Sequence, residues 1–597
     1  MRAASTRFLI SMTSSPRVYL WLALGILVFF NYQAWMTDYG LRLDGAPSAV
    51  DGATAAAGKA ATAAAAAHGS ALDAAIPTAP GANTAPAATP APAQSAPPAS
   101  SSAEALPAAP PAGTAAAPSA LPTAAPAVHV LTDVLDLEIS TIGGTLQKAD
   151  LLSYPLVKGR PEPVEILNHD NPDTLYVVQT GLSGAGSEHP THLATFESAQ
   201  PEYRMDGASE LRVPLTWTDG HGVTVTKTFV LHRGQYRIDV DYDVRNSSGA
   251  PWSAAPYAQI RSHATKVKRT MFDVESYAFK GPAVYDGTKY RKLNVEDADE
   301  HLAADISNGW IAALQHHFVA AIVPPADVPY RFTLAVDGHH YQLSSAGPAQ
   351  SVPAGQEAHF TQTLFVGPKL QSQLDALSPE LSRVADYGKL TIISRPLFWL
   401  LNKAHALFGN WGIAIILVTA LLKLLFYPLS EASGRSMAKM KALSPRIKNL
   451  QETYKDNRDK LGREMMALYQ REKVNPVAGC LPMIIQIPVF LAFYWVLLES
   501  VEMRQAPFFG WINALSSRDP FFILPAIMAG AMFMQYKLNP APPDPVQAKV
   551  FMIMPFAMSF MFAFFPAGLV LYWVTNTLLS IAQQWNINRR IKMKADA

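Results

Sequence analysis

One basic side chain lies well inside an apolar segment of the chain. Lys423 stands in the run VTALLKLLFYPL, and none of the long apolar segments of the C-terminal half contains an Asp or Glu. A charge at the centre of a membrane helix costs about 2.5–3.5 kcal/mol, so it requires a partner, water or a function. Two interpretations are open: the lysine extends its ammonium to the nearby membrane surface, or it lines a hydrated cavity.

Polar residues at a similar depth favour the hydrated cavity. Counting about 1.5 Å per residue from the segment ends places most of them in the inner half of the bilayer. Each alone is typical of a hydrogen bond between helices. Together, with one cation and no acid, they predict a cavity that opens to the cytoplasm and is closed toward the outside. These polar residues are Thr419, Gln486, Gln535, Thr575, Asn576 and Ser580.

Five apolar segments identify a membrane protein. The composition agrees, since only 16% of the 597 residues are charged, against about 25% in soluble proteins. The last two segments correspond to roughly 24 and 22 Å of helix, less than the ~30 Å hydrocarbon core, so we expect them to thin the bilayer locally. The five predicted spans are residues 411–428, 481–498, 521–536, 550–565 and 569–583.

Two amphipathic regions flank the first of these spans. Residues 394–408 predict a helix that lies on the bilayer surface, with Ser394 as its N-cap and Pro396 in its first turn. Residues 430–479 predict a helical hairpin that turns near residues 455–459, because apolar residues recur at helical spacing on both sides. The two stripes are Met437, Met440, Leu443, Ile447 and Leu450, and then Leu461, Met465 and Leu468.

The N-terminal half contains four regions of different composition. Residues 1–17 form a basic tail and residues 18–36 an apolar anchor; a cleaved signal peptide is the alternative, although no small-x-small cleavage site follows. Residues 45–127, rich in Ala and Pro, predict a disordered tether. Residues 128–370 alternate apolar and polar residues between turn clusters, which predicts one large antiparallel β-sandwich.

Lysine and arginine counts orient the spans. The N-terminal tail contains 3, the hairpin 11, the loop 537–550 2 and the tail 586–597 4, whereas the opposite loop 502–520 contains only 2. This asymmetry predicts six spans, with both termini in the cytoplasm and the β-sandwich outside.

Few residues could support catalysis or metal binding. The single cysteine, Cys480, excludes an intrachain disulfide or a cysteine metal cluster. The pair Gly143-Gly144 is typical of a turn between strands. The sequence therefore predicts no metal, no cofactor and no enzyme. Histidines of the β-region lack an HExxH or similar spacing, and they are His189, His192, His221, His316 and His317.

Long stretches of the chain resemble the YidC-type membrane protein insertases, which share their five-helix core with the Oxa and Alb proteins. TDVLDLEISTIGGTL, at the start of the β-region, resembles the Gram-negative branch of that family. The other matching stretches are MAKMKALSPRIKNLQETY, VNPVAGCLPMIIQIPVFLAFYWVLLESVEMRQAP, DPFFILP, DPVQAKVFMIMPF and FPAGLVLYWVTNTLLSIAQQ.

The resemblance implies a polytopic α-helical protein of the bacterial inner membrane. Its expected parts are a five-helix insertase core, an extra N-terminal anchor helix and a large periplasmic antiparallel β-sandwich. The implied function is to insert and chaperone inner-membrane proteins through a cytoplasm-open hydrophilic groove, alone or with the Sec translocon. Implied partners are nascent inner-membrane proteins and the lipid bilayer, with the ribosome and signal-recognition pathway contacting the hairpin and the basic tail.

The resemblance also assigns site residues. The family's groove contains one cation, usually arginine; Lys423 stands at that position and keeps the charge but lacks the bidentate guanidinium. Gln535 and Trp573 match groove positions that face this cation. Phe490 and Met561 match apolar positions on the substrate-exit side.

Two other function classes fit the sequence less well. A polytopic transporter with a periplasmic binding domain usually shows internal repeats or acidic residues within its spans, and neither is evident here. An anchored carbohydrate enzyme would leave the polytopic half without a role.

Overall fold

The structure is a computed structural model that describes residues 72, 75–79, 126–184, 189–264, 278–378, 380–455, 457–472, 474, 481–538 and 545–596. The basic tail 1–17, the anchor 18–36 and nearly all of the tether 45–127 lie outside these residues. The described chain forms two compact units. One is rich in β-strands and extends to Val384; the other is helical and begins at Ala385.

The β-rich unit begins its first strand at Ala127 and ends its last at Pro368, close to the predicted limits 128–370. The strands are β1 (Ala127–Leu131), β2 (Leu135–Ser140), β3 (Leu146–Pro155), β4 (Pro163–Leu167), β5 (Tyr176–Ser183), β6 (Glu197–Ser198), β7 (Glu202–Arg204), β8 (Glu210–Thr218), β9 (Val223–His232), β10 (Arg237–Asn246), β11 (Trp252–His263), β12 (Gly281–Tyr285), β13 (Tyr290–Lys292), β14 (Leu302–Ile306), β15 (Trp310–Leu314), β16 (Phe318–Val323), β17 (Tyr330–Asp337), β18 (His340–Ala346), β19 (Gln350–Val352) and β20 (Glu357–Pro368).

These strands form two sheets, as the alternating pattern predicts. The larger sheet runs β14-β17-β18-β11-β5-β3-β2-β1-β7, with β19 and β4 paired to its side, and the smaller runs β13-β12-β15-β16-β20-β10-β9-β8-β6. The pairs are antiparallel apart from β1 with β7, which is parallel. After β20 the unit continues through helix α1 (Gln371–Leu377) and a 3₁₀ turn (Leu381–Val384), beyond the predicted end at residue 370.

Polar side chains of the interior join the two sheets. The hydroxyl of Tyr176 in the larger sheet donates to the carbonyl of Ala313, 2.7 Å away in the smaller sheet, and accepts from the amide of Ala320 at 3.0 Å. A buried hydroxyl that both donates and accepts loses none of its hydrogen-bonding capacity on leaving water. The two sheets therefore pack face to face as a β-sandwich.

A second link comes from Lys227, a fully buried lysine of the smaller sheet. Its ammonium donates to the carbonyls of Gly143 at 2.7 Å, Gly144 at 3.2 Å and Thr180 at 3.0 Å, all in the larger sheet. Gly143 and Gly144 have φ values of 70° and 59° and form the predicted turn between β2 and β3. Burial lowers the pKa of Lys227 well below its usual range, whereas the three carbonyls favour the charged ammonium.

The helical unit contains the candidate site residues that are considered below. Its helices are α2 (Thr391–Phe408), α3 (Trp411–Leu425), α4 (Tyr427–Thr453), α5 (Arg458–Arg471), α6 (Leu481–Glu499), α7 (Ile523–Leu538), α8 (Pro545–Phe562) and α9 (Ala567–Asp596).

The N-cap predicted for the amphipathic helix is wrong. Helix α2 begins at Thr391 rather than at residue 394, so Ser394 lies within its first turn. The Ser394 side chain is buried and its hydroxyl donates to the carbonyl of Ala492 in α6, 3.3 Å away. The hydroxyl therefore bonds to a neighbouring helix, whereas the sequence alone predicts that it caps its own helix.

The first core span is broken rather than continuous over residues 411–428. Helix α3 ends at Leu425, Phe426 separates it from α4, and Pro428 stands in the first turn of α4. Among the described helices, none alone is long and apolar enough to cross a bilayer, but α3 and Tyr427–Met440 meet that requirement together as a pair bent by 63°. Shorter apolar helices cover Ile484–Glu499, Ile523–Leu538 and Ala548–Phe562.

Helices α4 and α5 form the predicted hairpin, with its turn between Thr453 and Arg458. Apolar residues of the two predicted stripes meet in one cluster, and Arg446 also pairs with Glu472 across the hairpin. The cluster contains Leu443, Ile447, Tyr469 and Val474, with Met440, Met465 and Leu468 packed against it.

The stability of the β-sandwich is expected to fall in mild acid because of His192. The hydroxyl of Tyr257 accepts from the His192 amide at 2.9 Å and lies 2.6 Å from Nδ1. Burial, with a smaller contribution from the charge of Lys227, lowers the pKa of His192 to about 4. Between pH 6.5 and 4 the unfolded chain therefore binds a proton that the folded chain does not, and stability decreases by up to about 1.4 kcal/mol per pH unit.

Urea unfolding of the detergent-solubilised chain at several pH values measures this effect. His192→Asn is expected to flatten the pH dependence in that window, because the amide does not titrate. The matched variant His301→Asn, at an exposed histidine, is expected to keep the wild-type slope. Equal slopes in the wild type and His192→Asn would contradict the assignment.

Candidate functional site

Helix α3 carries Lys423 near its C-terminal end. The helix begins at the cap residue Asn410, whose side chain accepts from the amide of Ile413 at 3.1 Å. Thr419 lies one turn before Lys423 and is buried, and its hydroxyl donates to the carbonyl of Ile415 at 2.6 Å. The threonine therefore needs no partner on another helix, and its side chain faces the same side as Lys423.

The break after α3 exposes backbone groups at Lys423. Proline at position 428 has no N–H, so it cannot continue the hydrogen bonds of α3. The missing N–H would have bonded the carbonyl of Leu424. The carbonyl of Lys423, one residue earlier, accepts from the side chain of Gln583 in α9, 3.1 Å away. The residue that carries the charge is thus held through its backbone as well as through its side chain.

The Lys423 ammonium has a neutral partner. Its Nζ donates to the hydroxyl of Ser580 at 2.7 Å, and that hydroxyl donates to the carbonyl of Asn576 at 2.7 Å. Within the described part of the chain, no carboxylate lies at ion-pair distance from Lys423. An ammonium has three N–H groups, so the remaining ones are available to water or to a bound molecule.

A pocket that is partly open to solvent lies beside this ammonium. Four of the predicted groove residues line it: Lys423, Thr419, Gln486 and Asn576. The hydroxyl of Tyr572 is hydrogen-bonded to the side chain of Gln486 at its wall. The other lining residues are Leu422, Phe426, Leu429, Ser430, Ile485 and Val489.

Two residues that the sequence analysis assigned to the groove lie elsewhere. Gln535 is half-buried near the end of α7 and does not line the cavity. The ring of Trp573 contacts Phe490, with ring centroids 4.8 Å apart, and Phe562 at 5.2 Å. Neither Gln535 nor Trp573 is among the residues that line the cavity.

The residues assigned to the exit side differ in exposure. Phe490 is half-buried and packs edge-on against Trp573, whereas 47% of the Met561 surface is exposed. Met561 lies in α8 among other exposed apolar side chains, including Ile553 and Phe560. The aromatic cluster thus separates the polar cavity from an apolar outer face.

Sequence reasoning missed Tyr572, and it counted Ser580 among the polar residues of the cavity without identifying it as the partner of Lys423. A spacing signal was present, because residues 572, 576 and 580 follow each other at intervals of four on α9. Such residues share one face of a helix. Tyr572 and Ser580 could therefore have been assigned to the same helix face as Asn576 from the sequence.

The opposite end of the helical bundle is closed by packing and by capping. Asp519 is buried and accepts from the indole of Trp511 at 3.1 Å and from the amide of Leu524 at 2.7 Å, at the start of α7. The turn before α9 is tied to the same loop, since the amide of Gly568 donates to the carbonyl of Leu515 at 2.8 Å. A large apolar cluster fills the space between these ties and the cavity.

The last helix also fixes the base of the hairpin. The side-chain amide of Asn586 in α9 donates to the hydroxyl of Tyr427 at 3.3 Å. Buried Ile587 packs against Gly434 of α4 so closely that a Cβ on this glycine would lie 2.9 Å from the Ile587 Cγ2. Helix α9 therefore contacts the cavity, the helix break and the base of the hairpin.

Two family models match the chain. Residues 127–400 match the YidC periplasmic domain, and residues 403–595 match the 60Kd inner membrane protein. The membrane protein insertase YidC of Thioalkalivibrio sulfidiphilus is 48% identical over 480 residues, covering 78% of this chain and 85% of that protein. The corresponding protein of Cupriavidus necator is 43% identical over 583 residues, covering 96% and 97%.

The chain belongs to the YidC family of membrane protein insertases. Among solved structures, a crystal structure of an active YidC insertase with its first transmembrane domain resolved aligns with 77% of this chain and 92% of its own, at 19% identity and a TM-score of 0.35.

Family membership confirms the predicted insertase function. The protein is an inner-membrane insertase, and its relatives indicate a non-enzymatic activity. Its substrates are nascent membrane proteins, and it works in the lipid bilayer. The β-sandwich corresponds to the periplasmic domain of this YidC insertase family. No cluster of His, Cys, Asp or Glu in the described residues could hold a metal ion.

Close packing between α4 and α9 leads to a stability prediction. Gly434→Val is expected to separate the hairpin base from Ile587 and to cost about 1–3 kcal/mol, the usual penalty for overpacking. The same substitution at Gly462 in α5 is the control, because a Cβ there meets nothing within 4 Å.

Thermal unfolding in detergent, followed by intrinsic fluorescence, distinguishes the two variants. Gly434→Val is expected to lower the melting temperature by several degrees, and Gly462→Val to leave it near that of the wild type. Identical melting temperatures for both variants would show that the α4–α9 contact contributes little.

Proposed function

We propose that the insertase receives the polar segment of a client in the cavity beside Lys423 and attracts acidic residues through its ammonium. The observation that carries this proposal is the pairing of Lys423 with the neutral hydroxyl of Ser580 at 2.7 Å. A lysine neutralised by a carboxylate would attract an incoming acid far less. Polar Gln486 and Asn576 support the same role, because they supply hydrogen bonds that a translocating segment otherwise loses on leaving water.

Short helices beside the cavity support a second contribution, local thinning of the bilayer. Helix α3 has 15 residues, so its straight part before the bend into α4 is about 22 Å long, less than the ~30 Å hydrocarbon core. A span shorter than the core is accommodated by thinning of the bilayer around it. A polar segment then crosses less hydrocarbon, because the cavity receives it and the bilayer around the cavity is thinner.

Release requires that the attraction stay weak. Charge interactions strengthen as the local dielectric falls, so a lone cation in a partly hydrated cavity binds a carboxylate more strongly than in water. Lysine offers a single ammonium rather than a bidentate fork, which limits the lifetime of the contact. Apolar Phe490 and the exposed Met561 are proposed to form the side from which the apolar part of a client enters the lipid.

The proposed topology has six spans with both termini in the cytoplasm. The supporting evidence is the concentration of Lys and Arg in the tail 1–17, the hairpin 430–479, the loop 537–550 and the tail 586–597. Under this topology the cavity opens toward the hairpin. The surface helix 394–408, here part of α2, is proposed to lie on the outer face of the membrane, because Trp399 and Leu407 are exposed on it.

Partners beyond the client are proposed from the family resemblance and the charges. The Sec translocon is proposed as a partner for clients with large translocated regions. A chaperone role is proposed for client helices that are held at the exit side before they enter the lipid. The basic hairpin and tail are proposed contacts for the ribosome and the signal-recognition pathway, since ribosomal RNA attracts clustered Lys and Arg. The transporter alternative is not favoured.

Substitutions of Lys423 test the electrostatic part of the proposal. Lys423→Arg is expected to support insertion, because the charge is retained. Lys423→Ala is expected to impair clients with acidic translocated segments, and Lys423→Glu to impair them more because it repels them. Clients that differ only by neutralised acids are expected to insert nearly normally in each variant.

Depletion of the chromosomal protein and pulse-labelling of matched clients, with variant levels held equal, provide the measurement. Lys549→Glu is the charge-matched control, because Lys549 is exposed near the start of α8 and does not line the cavity. Equal insertion of acidic and neutral clients by Lys423→Glu would exclude the electrostatic role. A uniform loss for all clients would instead indicate that Lys423 only stabilises the fold.

Cysteine labelling tests the topology separately. In a Cys480→Ser background, a cysteine placed at exposed Glu452 or Lys460 is expected to escape a membrane-impermeant maleimide in intact spheroplasts. The same cysteine is expected to react after the membrane is opened. Reaction in intact spheroplasts would place the hairpin outside and overturn the six-span topology.

A further inference from the structure

The β-sandwich ends in an exposed apolar turn between β3 and β4. We name residues 156–162 the β3–β4 tip. The amide of Leu156 donates to the carbonyl of Glu162 at 2.8 Å and closes this segment at its base. At the tip itself, 57% of Leu156 and 48% of Val157 are exposed, and Leu152 on the adjoining strand is 43% exposed. Neighbouring exposed apolar side chains on a projecting turn are typical of a contact surface rather than of scattered surface residues.

Basic side chains accompany the apolar ones on the same turn. The amide of Arg160 donates to the carbonyl of Val157 at 3.0 Å, and Gly159 has a φ of 81°, which the tight turn requires. Lys158 and Arg160 are both exposed, and Glu162 is the one acid within the tip. The tip therefore combines an apolar pair with a net positive charge, within a backbone that is already folded.

The base of the tip is packed into the body of the sandwich. The ring of Tyr154 lies edge-on to Tyr236 at 6.5 Å and to Phe318 at 5.9 Å. Phe318 pairs in register with Pro368, the last residue of β20. The amide of Tyr236 donates to the side chain of Gln373, in the helix that follows β20. The tip thus projects from the end of the sandwich at which the chain leaves the sheets and continues toward the membrane helices.

We propose that the β3–β4 tip is a lipid-binding site that enters the headgroup region of a bilayer containing anionic phospholipids. Apolar side chains that reach the acyl boundary and cations that meet anionic headgroups are the two contributions that hold a segment at a membrane interface. Two or three residues beyond the base extend roughly 10 Å, enough to reach through a headgroup layer. This site is independent of the cavity at Lys423, and its role is to hold the β-sandwich against the membrane.

A lipid surface fits this site better than another protein does. The chain itself leaves the sheets at this end for helices of the membrane, so a bilayer is the surface that its own connection keeps nearby. The positive charges of Lys158 and Arg160 complement anionic headgroups. A tip of two apolar side chains is also small beside the roughly 800 Å² that each partner buries in a stable protein interface.

Fluorescence quenching in vesicles tests the proposal with the full chain. Val157→Cys in a Cys480→Ser background receives an environment-sensitive fluorophore, and the protein is reconstituted into phosphatidylcholine with or without phosphatidylglycerol. Lipids spin-labelled near the headgroup in both leaflets serve as quenchers. The control label is placed by Gly249→Cys beyond the far end of β10, where a Cβ meets nothing within 4 Å. Ten residues of strand, about 34 Å, separate this loop from Tyr236.

The label at residue 157 is expected to be quenched in vesicles with phosphatidylglycerol, and the label at residue 249 not. Adding Lys158→Glu or Arg160→Glu is expected to lower the ratio of bound to unbound tip about fivefold for each cation removed, in the anionic vesicles only. Absence of quenching at residue 157 in all vesicles would overturn the proposal. Equal quenching at both labels, or quenching that ignores both charge reversals, would overturn it as well.

Discussion

The structure of the helical unit depends on the need to keep a lysine ammonium hydrogen-bonded among apolar helices. A charge without partners in such a place costs several kcal/mol, so neighbouring elements must supply polar groups or water. Ser580 and Asn576 supply them from one face of α9, and the side chain of Gln583 in the same helix donates to the backbone carbonyl of Lys423. The cavity and the helix break at Phe426 lie beside this arrangement, and the hairpin packs against the same helix, α9.

The two ends of the helical unit differ in how they satisfy backbone groups. At the Asp519 end, buried hydrogen bonds to Trp511 and Leu524 start a helix cleanly, and the turn before α9 is tied down by Leu515. At the Lys423 end, a proline interrupts the chain and leaves space that polar side chains line. A bundle that is tightly packed at one end and lined by polar side chains at the other suits the proposed entry of polar segments from one side.

Much of this organisation could be predicted from the sequence, and the exceptions have physical causes. Lys423, Thr419, Gln486 and Asn576 share one cavity because depth and helical spacing are properties of single segments. The N-cap role of Ser394 was wrong, because a carbonyl of α6, remote in sequence, took its hydroxyl. The positions of Gln535 and Trp573 depend on how helices rotate against each other, which packing alone determines. The two sheets could be predicted from the alternation of apolar and polar residues. The burial of Lys227 could not be predicted, because the residues around it in the sequence do not distinguish it from an exposed lysine.

The central claim is that the cavity beside Lys423 is hydrated and open to the cytoplasm alone. Gln486→Cys in a Cys480→Ser background places a thiol on the cavity wall, and a membrane-impermeant maleimide measures its accessibility. The account predicts rapid labelling in inverted membrane vesicles and none in intact spheroplasts. Labelling from the outer face, or no labelling from either face, would contradict it.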